Sequence, residues 1–129
     1  MVRRRRNGPL AELPRRERKT LKRFAKPLDY PAGKELVREG KLADSLFLIE
    51  RGEVSVIGRD GPLARLGEDD FFGEIALMTQ RPRTASVVAD TDVRLRVITP
   101  TEFTQAMRTL PAFAGIVRQV SEERLAKSG

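Results

Sequence analysis

Glycine divides the middle of the chain into strand-length pieces. LDYPAG, ELVREG, SLFLIERG, EVSVIGRDG and LARLGEDD follow one another between Leu28 and Asp70. Short strands at this spacing, with turn residues between them, predict a sandwich or barrel and leave no room for a long helix. Leu46 to Ile49 is continuously apolar. Val54 and Val56 alternate with the polar Glu53 and Ser55, the period of a strand with one buried face. Arg59-Asp60-Gly61-Pro62 has hairpin-turn composition. Strands resume in ASVVA (Ala85 to Ala89) and VRLRVI (Val93 to Ile98), with Asp90-Thr91-Asp92 turning the chain between them. In the second, Val93, Leu95 and Val97 are expected to face inward and Arg94 and Arg96 outward.

Both flanks are helical by pattern. Leu10, Leu13, Leu21 and Phe24 recur among dense charge, and Pro14 suits a first helical turn, which predicts a charged helix over about 14 to 26, stopped by Pro27. Thr99-Pro100-Thr101-Glu102 spells a capping box with proline at the first helical position, and Phe103, Met107 and Leu110 continue at helical spacing. Pro111 breaks that helix. A last one is expected from about Ala112 to Lys127, with Ile116, Val117, Val120 and Arg124 on one side. At 129 residues the chain fits one mainly β domain with flanking helices.

Composition excludes several chemistries. The chain has no cysteine and no histidine, so disulfides, thiolate or imidazole metal sites, and serine–histidine or cysteine catalysis are ruled out. With no evident carboxylate pair either, no catalytic residue, metal or cofactor is expected, and the chain is read as a non-enzyme. No apolar run reaches the roughly 20 residues of a membrane span. The basic start is followed by no apolar segment, so it is not a secretory signal, and a cytoplasmic setting is expected. The net charge of +7 is concentrated at one end: residues 1 to 30 carry 11 Lys/Arg against 3 Asp/Glu, whereas the remainder carries 14 against 15. Arg3 to Arg6 suit either a solvated lead or contact with nucleic acid or anionic lipid, and both readings stay open.

The segment FFGEIALMTQRPRTASV, Phe71 to Val87, asks for more than folding does. Gly73 permits an unusual dihedral or a close approach. Glu74 to Leu77 suit a single helical turn, whose free N–H groups form an anion site. Arg83, behind Pro82, offers a fork of donors to the same anion, with Thr84 and Ser86 hydroxyls and the Thr84 and Ala85 amides close in sequence. Glu74 would repel a phosphate, so its natural partner is a neutral hydroxyl such as a ribose 2′-OH. An acid for a sugar and an arginine for a phosphate describe a nucleotide. Spacing alone equally allows a plain Glu74–Arg83 surface ion pair.

FGEIALMTQRPRTASV closely resembles the phosphate-binding cassette of cyclic nucleotide-binding domains, the family of protein kinase A regulatory subunits, catabolite activator protein and cyclic-nucleotide-gated channels. PAGKELVREGKLADSLFLIERGEVSV resembles the family's β-roll entry, with Gly33, Gly40 and Gly52 at its glycine positions. The resemblance runs from about Leu10 to Arg124. It implies an eight-stranded, jelly-roll-like β-roll with an N-terminal helix, a short cassette helix and two C-terminal helices. On this reading residues 1–9 are a disordered basic lead and 10–129 the domain: 10–27 helical, 28–98 the roll with its cassette at 72–87, and 99–129 hinge and lid.

The same resemblance implies the roles of individual residues. Glu74 accepts the ribose 2′-OH and Arg83 holds the cyclic phosphate, with backbone N–H groups around Gly73, Ile75, Ala76 and Ala85 completing the cradle. A Thr84 hydroxyl can reach the guanine amino group of a syn cyclic GMP, so cyclic GMP stays open beside cyclic AMP. Val56, Phe71 and Val87 are candidates to pack on the base or to be plain core. Arg124, on the last helix, falls where a lid residue meets the base, with Arg118 as the fallback. The implied function is a cyclic nucleotide sensor, most simply for cyclic AMP, acting on an effector protein or fused domain. The alternatives are a basic nucleic-acid-binding regulator and a degenerate β-roll kept for protein contacts. Catabolite-activator relatives carry a helix-turn-helix after the lid, where this sequence stops, so nucleic acid is not the expected partner.

Overall fold

The computed structural model describes residues 8–37, 45–79 and 85–128, with side chains to Ala126. A 3-10 turn at Pro9–Glu12 leads into helix α1 (Arg15–Phe24). Strands β1 (Lys26–Tyr30), β2 (Glu35–Val37), β3 (Leu46–Arg51), β4 (Val54–Gly58), β5 (Gly61–Leu66) and β6 (Phe71–Phe72) follow. Then come the short helix α2 (Glu74–Thr79), strands β7 (Ser86–Ala89) and β8 (Val93–Ile98), and helices α3 (Pro100–Thr109) and α4 (Pro111–Ser128). The strands form two four-stranded antiparallel sheets, in the orders β1-β8-β3-β6 and β2-β7-β4-β5. This is the expected mainly β roll with flanking helices. The Arg59–Asp60 turn joins β4 to β5 with Gly58 opposite Gly61. Asp90 to Asp92 carry the chain from one sheet to the other.

The core has two chambers, and β3 separates them. Leu46 and Leu48 point into a cluster under the helices with Leu10, Leu21, Phe71, Phe103, Phe113 and Val117. Ile49, with the partly buried Phe47, packs instead between the sheets with Val54, Phe72, Val87 and Leu95. The continuous apolar run of β3 is therefore a period-two strand buried on both faces. Phe71 and Phe72 divide in the same way, and the Phe47 and Phe72 rings stack with centroids 5.0 Å apart. In β8 the expected alternation holds for Val93 and Leu95 but not at the end: Val97 is half-buried and Ile98 is fully buried. Ile98 shares a face with Arg94 and Arg96, and the helical layer covers only its end of that face. Farther along, Arg94 reaches Asp29 at 2.8 Å and Arg96 reaches Glu50 at 2.6 Å.

The helices are fixed by caps. Thr99 Oγ1 accepts from the Glu102 amide at 3.2 Å, and Glu102 Oε1 accepts from the Thr99 amide at 3.0 Å, the reciprocal box read from the sequence. Pro111 is the first residue of α4 and no side chain beside it can cap the new helix; the cap comes from α1 instead. Glu17 is 2% exposed, and its carboxylate accepts from Ala112 N at 3.0 Å and Phe113 N at 2.8 Å. A carboxylate at a helix N-terminus satisfies free donors and opposes the helix dipole. The N-terminal helix is thereby bonded to the junction on which α4 is hung. Glu17→Ala is expected to lower stability by about 1–3 kcal/mol, since it leaves two covered donors without acceptors. Glu17→Gln, which keeps one acceptor oxygen, should recover about half of that. Urea unfolding measures both as a fall in midpoint at unchanged slope. An Ala variant within experimental error of the parent would show that the cap is inconsequential.

Candidate functional site

The site is built where β6 runs into α2. Gly73 lies between them with φ of +101°, a conformation that favours glycine. That turn swings Glu74 inward: its side chain heads α2 yet is 1% exposed. Ala76 is buried on the same helix, Ile75 is half-buried, and Thr79 Oγ1 donates to the Ile75 carbonyl at 2.7 Å. Helix propensity and the sharp glycine turn together account for a helix only six residues long.

A buried carboxylate needs a partner, and α4 supplies it. Arg124 Nη1 donates to both Glu74 oxygens, at 2.9 and 2.8 Å. Its guanidinium carbon lies 5.1 Å from the centroid of the Phe71 ring, a cation–π position. One turn earlier Ser121 Oγ donates to Met78 Sδ of α2 at 3.4 Å. The last turns of α4 are thus tied to α2 by the Arg124–Glu74 ion pair and the weak Ser121–Met78 hydrogen bond. Arg118, the fallback from the sequence, is exposed.

Of the other expected site residues, Phe71 lies beside the Glu74–Arg124 pair, and Val56 and Val87 do not share its cluster. Val56 and Val87 face one another across β4 and β7, Val87 buried and Val56 half-buried, both in the cluster between the sheets. Phe71 belongs to the cluster under the helices and is fully buried. Ala85 is half-buried just before β7. Arg83 and Thr84 lie outside the described residues, as does Gly40. Among the described residues no group of three carboxylates could hold a metal ion. No helix among them is long and apolar enough to cross a membrane.

The sequence leads to the expectation that Arg124 meets the base; in this structure its guanidinium donates to the Glu74 carboxylate. Sequence reasoning misses Glu17, although the signal is present. Glu17 stands four residues before Leu21 and seven before Phe24, so the one acid of α1 occupies its apolar face.

Residues 27–109 match the sequence model of the family described as the cyclic nucleotide-binding domain. The chain is 35% identical over 98 residues to the cAMP-dependent protein kinase regulatory subunit of Neurospora crassa, covering 74% of this chain and 26% of that protein. It is 36% identical over 102 residues to a cyclic nucleotide-gated potassium channel of Rhizobium etli, covering 79% and 28%. Among solved structures, the catabolite activator protein of Thermus thermophilus superposes with a TM-score of 0.81 at 28% identity, over 94% of this chain and 60% of that one. The two four-stranded sheets with their flanking helices define a β-roll like that of the catabolite activator protein. The chain belongs to the cyclic nucleotide-binding domain family. It spans only about a quarter of the length of those two curated relatives.

Proposed function

We propose that the chain is a regulatory module that binds cyclic AMP, with cyclic GMP as the second ligand Thr84 leaves open, and performs no chemical step of its own. The observation that carries this reading is Glu74: a carboxylate buried at the glycine turn of the cassette and gripped by a residue of the C-terminal helix. Burying a charge is unfavourable unless it is paired, and the partner here comes from the C-terminal helix, so the acid at the glycine turn is coupled directly to α4. In the proposed complex Glu74 accepts the ribose 2′-OH. Arg83 and the amides of Gly73, Ile75, Ala76 and Ala85 hold the cyclic phosphate. Arg124, backed by the Phe71 ring in the chamber under the helices, closes on the base side, while Val56 and Val87 belong to the chamber between the sheets. Because Arg124 rides on α4, any change in what Glu74 binds is felt by the lid. Moving such a lid from 1:99 to 99:1 requires a differential affinity of about 5.5 kcal/mol. The setting is cytoplasmic, and the recipient is an effector protein or a domain linked to this one.

Isothermal titration with cyclic AMP, cyclic GMP and 5′-AMP tests the reading. Cyclic AMP is expected to bind in the micromolar range or tighter. 5′-AMP, whose open doubly charged phosphate does not fit a cradle for one cyclic diester, should bind far more weakly. At a hundredfold excess over Kd the bound ligand adds about 2.7 kcal/mol of stability, readable as a rise in Tm. No heat and no thermal shift with either cyclic nucleotide would overturn it in favour of a β-roll kept for protein contacts.

A further inference from the structure

The outward face of α1 is unlike the rest of the described surface. Arg15, Arg16, Lys19, Lys22 and Arg23 are all exposed, and Lys26 extends the row into β1. Five other arginines are matched, Arg18 with Asp69, Arg65 with Asp90, Arg94 with Asp29, Arg96 with Glu50 and Arg124 with Glu74, and the exposed Arg51, Arg59, Arg108 and Arg118 stand singly on separate elements rather than in a row. No ion pair among the described residues involves any of the six on α1 and Lys26. Lys22 only adds weakly to the field that lowers the Glu50 pKa, which is set first by the hydrogen bond from Arg96.

Lys22 and Arg23, in the last turn of α1, suit the helix dipole, but fold stability does not ask for the rest of the row. Arg15 and Arg16 occupy the first turn of a helix with no side-chain cap, at the end where the dipole disfavours cations. Arg15 and Lys19, and Lys19 and Arg23, are like charges one turn apart, a spacing that destabilises a helix. The one acid that could relieve them, Glu17, is turned inward to cap α4. Local rules broken together on one face, with no compensating contact, mark a surface shaped by a partner.

The chemistry of the face selects that partner. The large apolar residues of α1, Leu21 and Phe24, pack into the core, so none is available to insert into a bilayer. The face has no aromatic or aliphatic centre of the kind that anchors a protein interface, and no ring on which a single-stranded base could stack. It offers a row of cations alone, about 10 Å long from Arg15 to Lys22, suited to the dense phosphate charge of a duplex. We propose that the outward face of α1 is a sequence-independent docking surface for the phosphate backbone of a nucleic-acid duplex. No base-reading motif is needed for such contact. The proposal stands apart from the cyclic nucleotide site and does not depend on it.

Fluorescence anisotropy with two unrelated 20-base-pair duplexes tests it. The full chain is expected to bind both within about twofold of each other, with Kd of about 10⁻⁴–10⁻⁶ M at physiological salt. Lys19→Gln combined with Lys22→Gln should weaken binding and reduce the slope of log K against log salt by about 2. Arg59→Gln, which removes an exposed charge from the β4–β5 turn, should leave the slope unchanged. An unaltered Tm for the double variant shows that the loss is not unfolding. An unchanged slope in the double variant, an equal loss with Arg59→Gln, or binding to phosphatidylserine vesicles with none to duplex would each overturn the assignment.

Discussion

With no nucleotide added, Arg124→Met is expected to destabilise the chain by about 2–3 kcal/mol, and adding Glu74→Gln should recover most of that loss. Glu74 is 1% exposed and takes two hydrogen bonds from Arg124. Removing the cation alone strands a buried carboxylate, which for fully enclosed pairs costs about 3–5 kcal/mol. The Arg124 side chain keeps 26% of its surface, so water relieves part of that penalty and the smaller figure follows. Methionine retains an apolar stem and a sulfur to lie on the Phe71 ring, so the substitution removes mainly the charge. Glu74→Gln alone should cost less, about 1 kcal/mol, because the guanidinium can turn to solvent. Urea unfolding of the four proteins closes the cycle, and a coupling of about 2–3 kcal/mol is expected between the two positions. A neutral Arg124→Met would mean that the carboxylate is held by something other than α4, and the proposed link from cassette to lid would fail with it.

What could be read before the structure depended on whether the cause was local. Turn chemistry at Arg59–Asp60 and the box at Thr99–Glu102 are decided by a few adjacent residues, and both formed as written. The alternation of Val93 and Leu95 was equally plain, because one face of β8 meets the opposite sheet. It gave way at Ile98 because a helical layer, invisible to any period-two count, covers that end of the other face. Leu46 to Ile49 could be recognised as a buried strand, but its division between two chambers depends on helices joined much later in the chain. The Phe71–Val87 segment advertised its chemistry through residue types: Gly73 turns as its dihedral demands, and Glu74 heads a short helix. The pairing of Glu74 with Arg124 spans 50 residues, and the capping of α4 by Glu17 spans 95 or more. No local pattern specifies such contacts. An acid on an apolar helical face was the one hint that a distant donor awaited Glu17.

Arg83→Ala is expected to weaken cyclic AMP by about 2–4 kcal/mol, roughly 30- to 1,000-fold in Kd, while leaving the unfolding midpoint within error of the parent. A guanidinium facing a phosphate in a closed site makes charge-assisted, paired hydrogen bonds that a neutral cradle of amides cannot replace. Arg83→Lys should fall between the two, since the ammonium keeps the charge but loses the fork. The sugar side of the site can be separated by changing the ligand instead of the protein. In the parent, 2′-deoxy cyclic AMP should bind about tenfold more weakly than cyclic AMP, the worth of one hydrogen bond to a charged acceptor. In Glu74→Gln that difference should shrink, whereas in Arg83→Ala it should persist because the ribose contact is intact. Should Arg83→Ala bind like the parent, the phosphate is held elsewhere and the cassette reading is wrong. Should Arg83→Ala weaken binding but the deoxy ligand lose nothing in the parent, the phosphate site stands and Glu74 serves only Arg124. The lid would then answer to the ion pair alone, and nucleotide could move α4 only through the phosphate cradle.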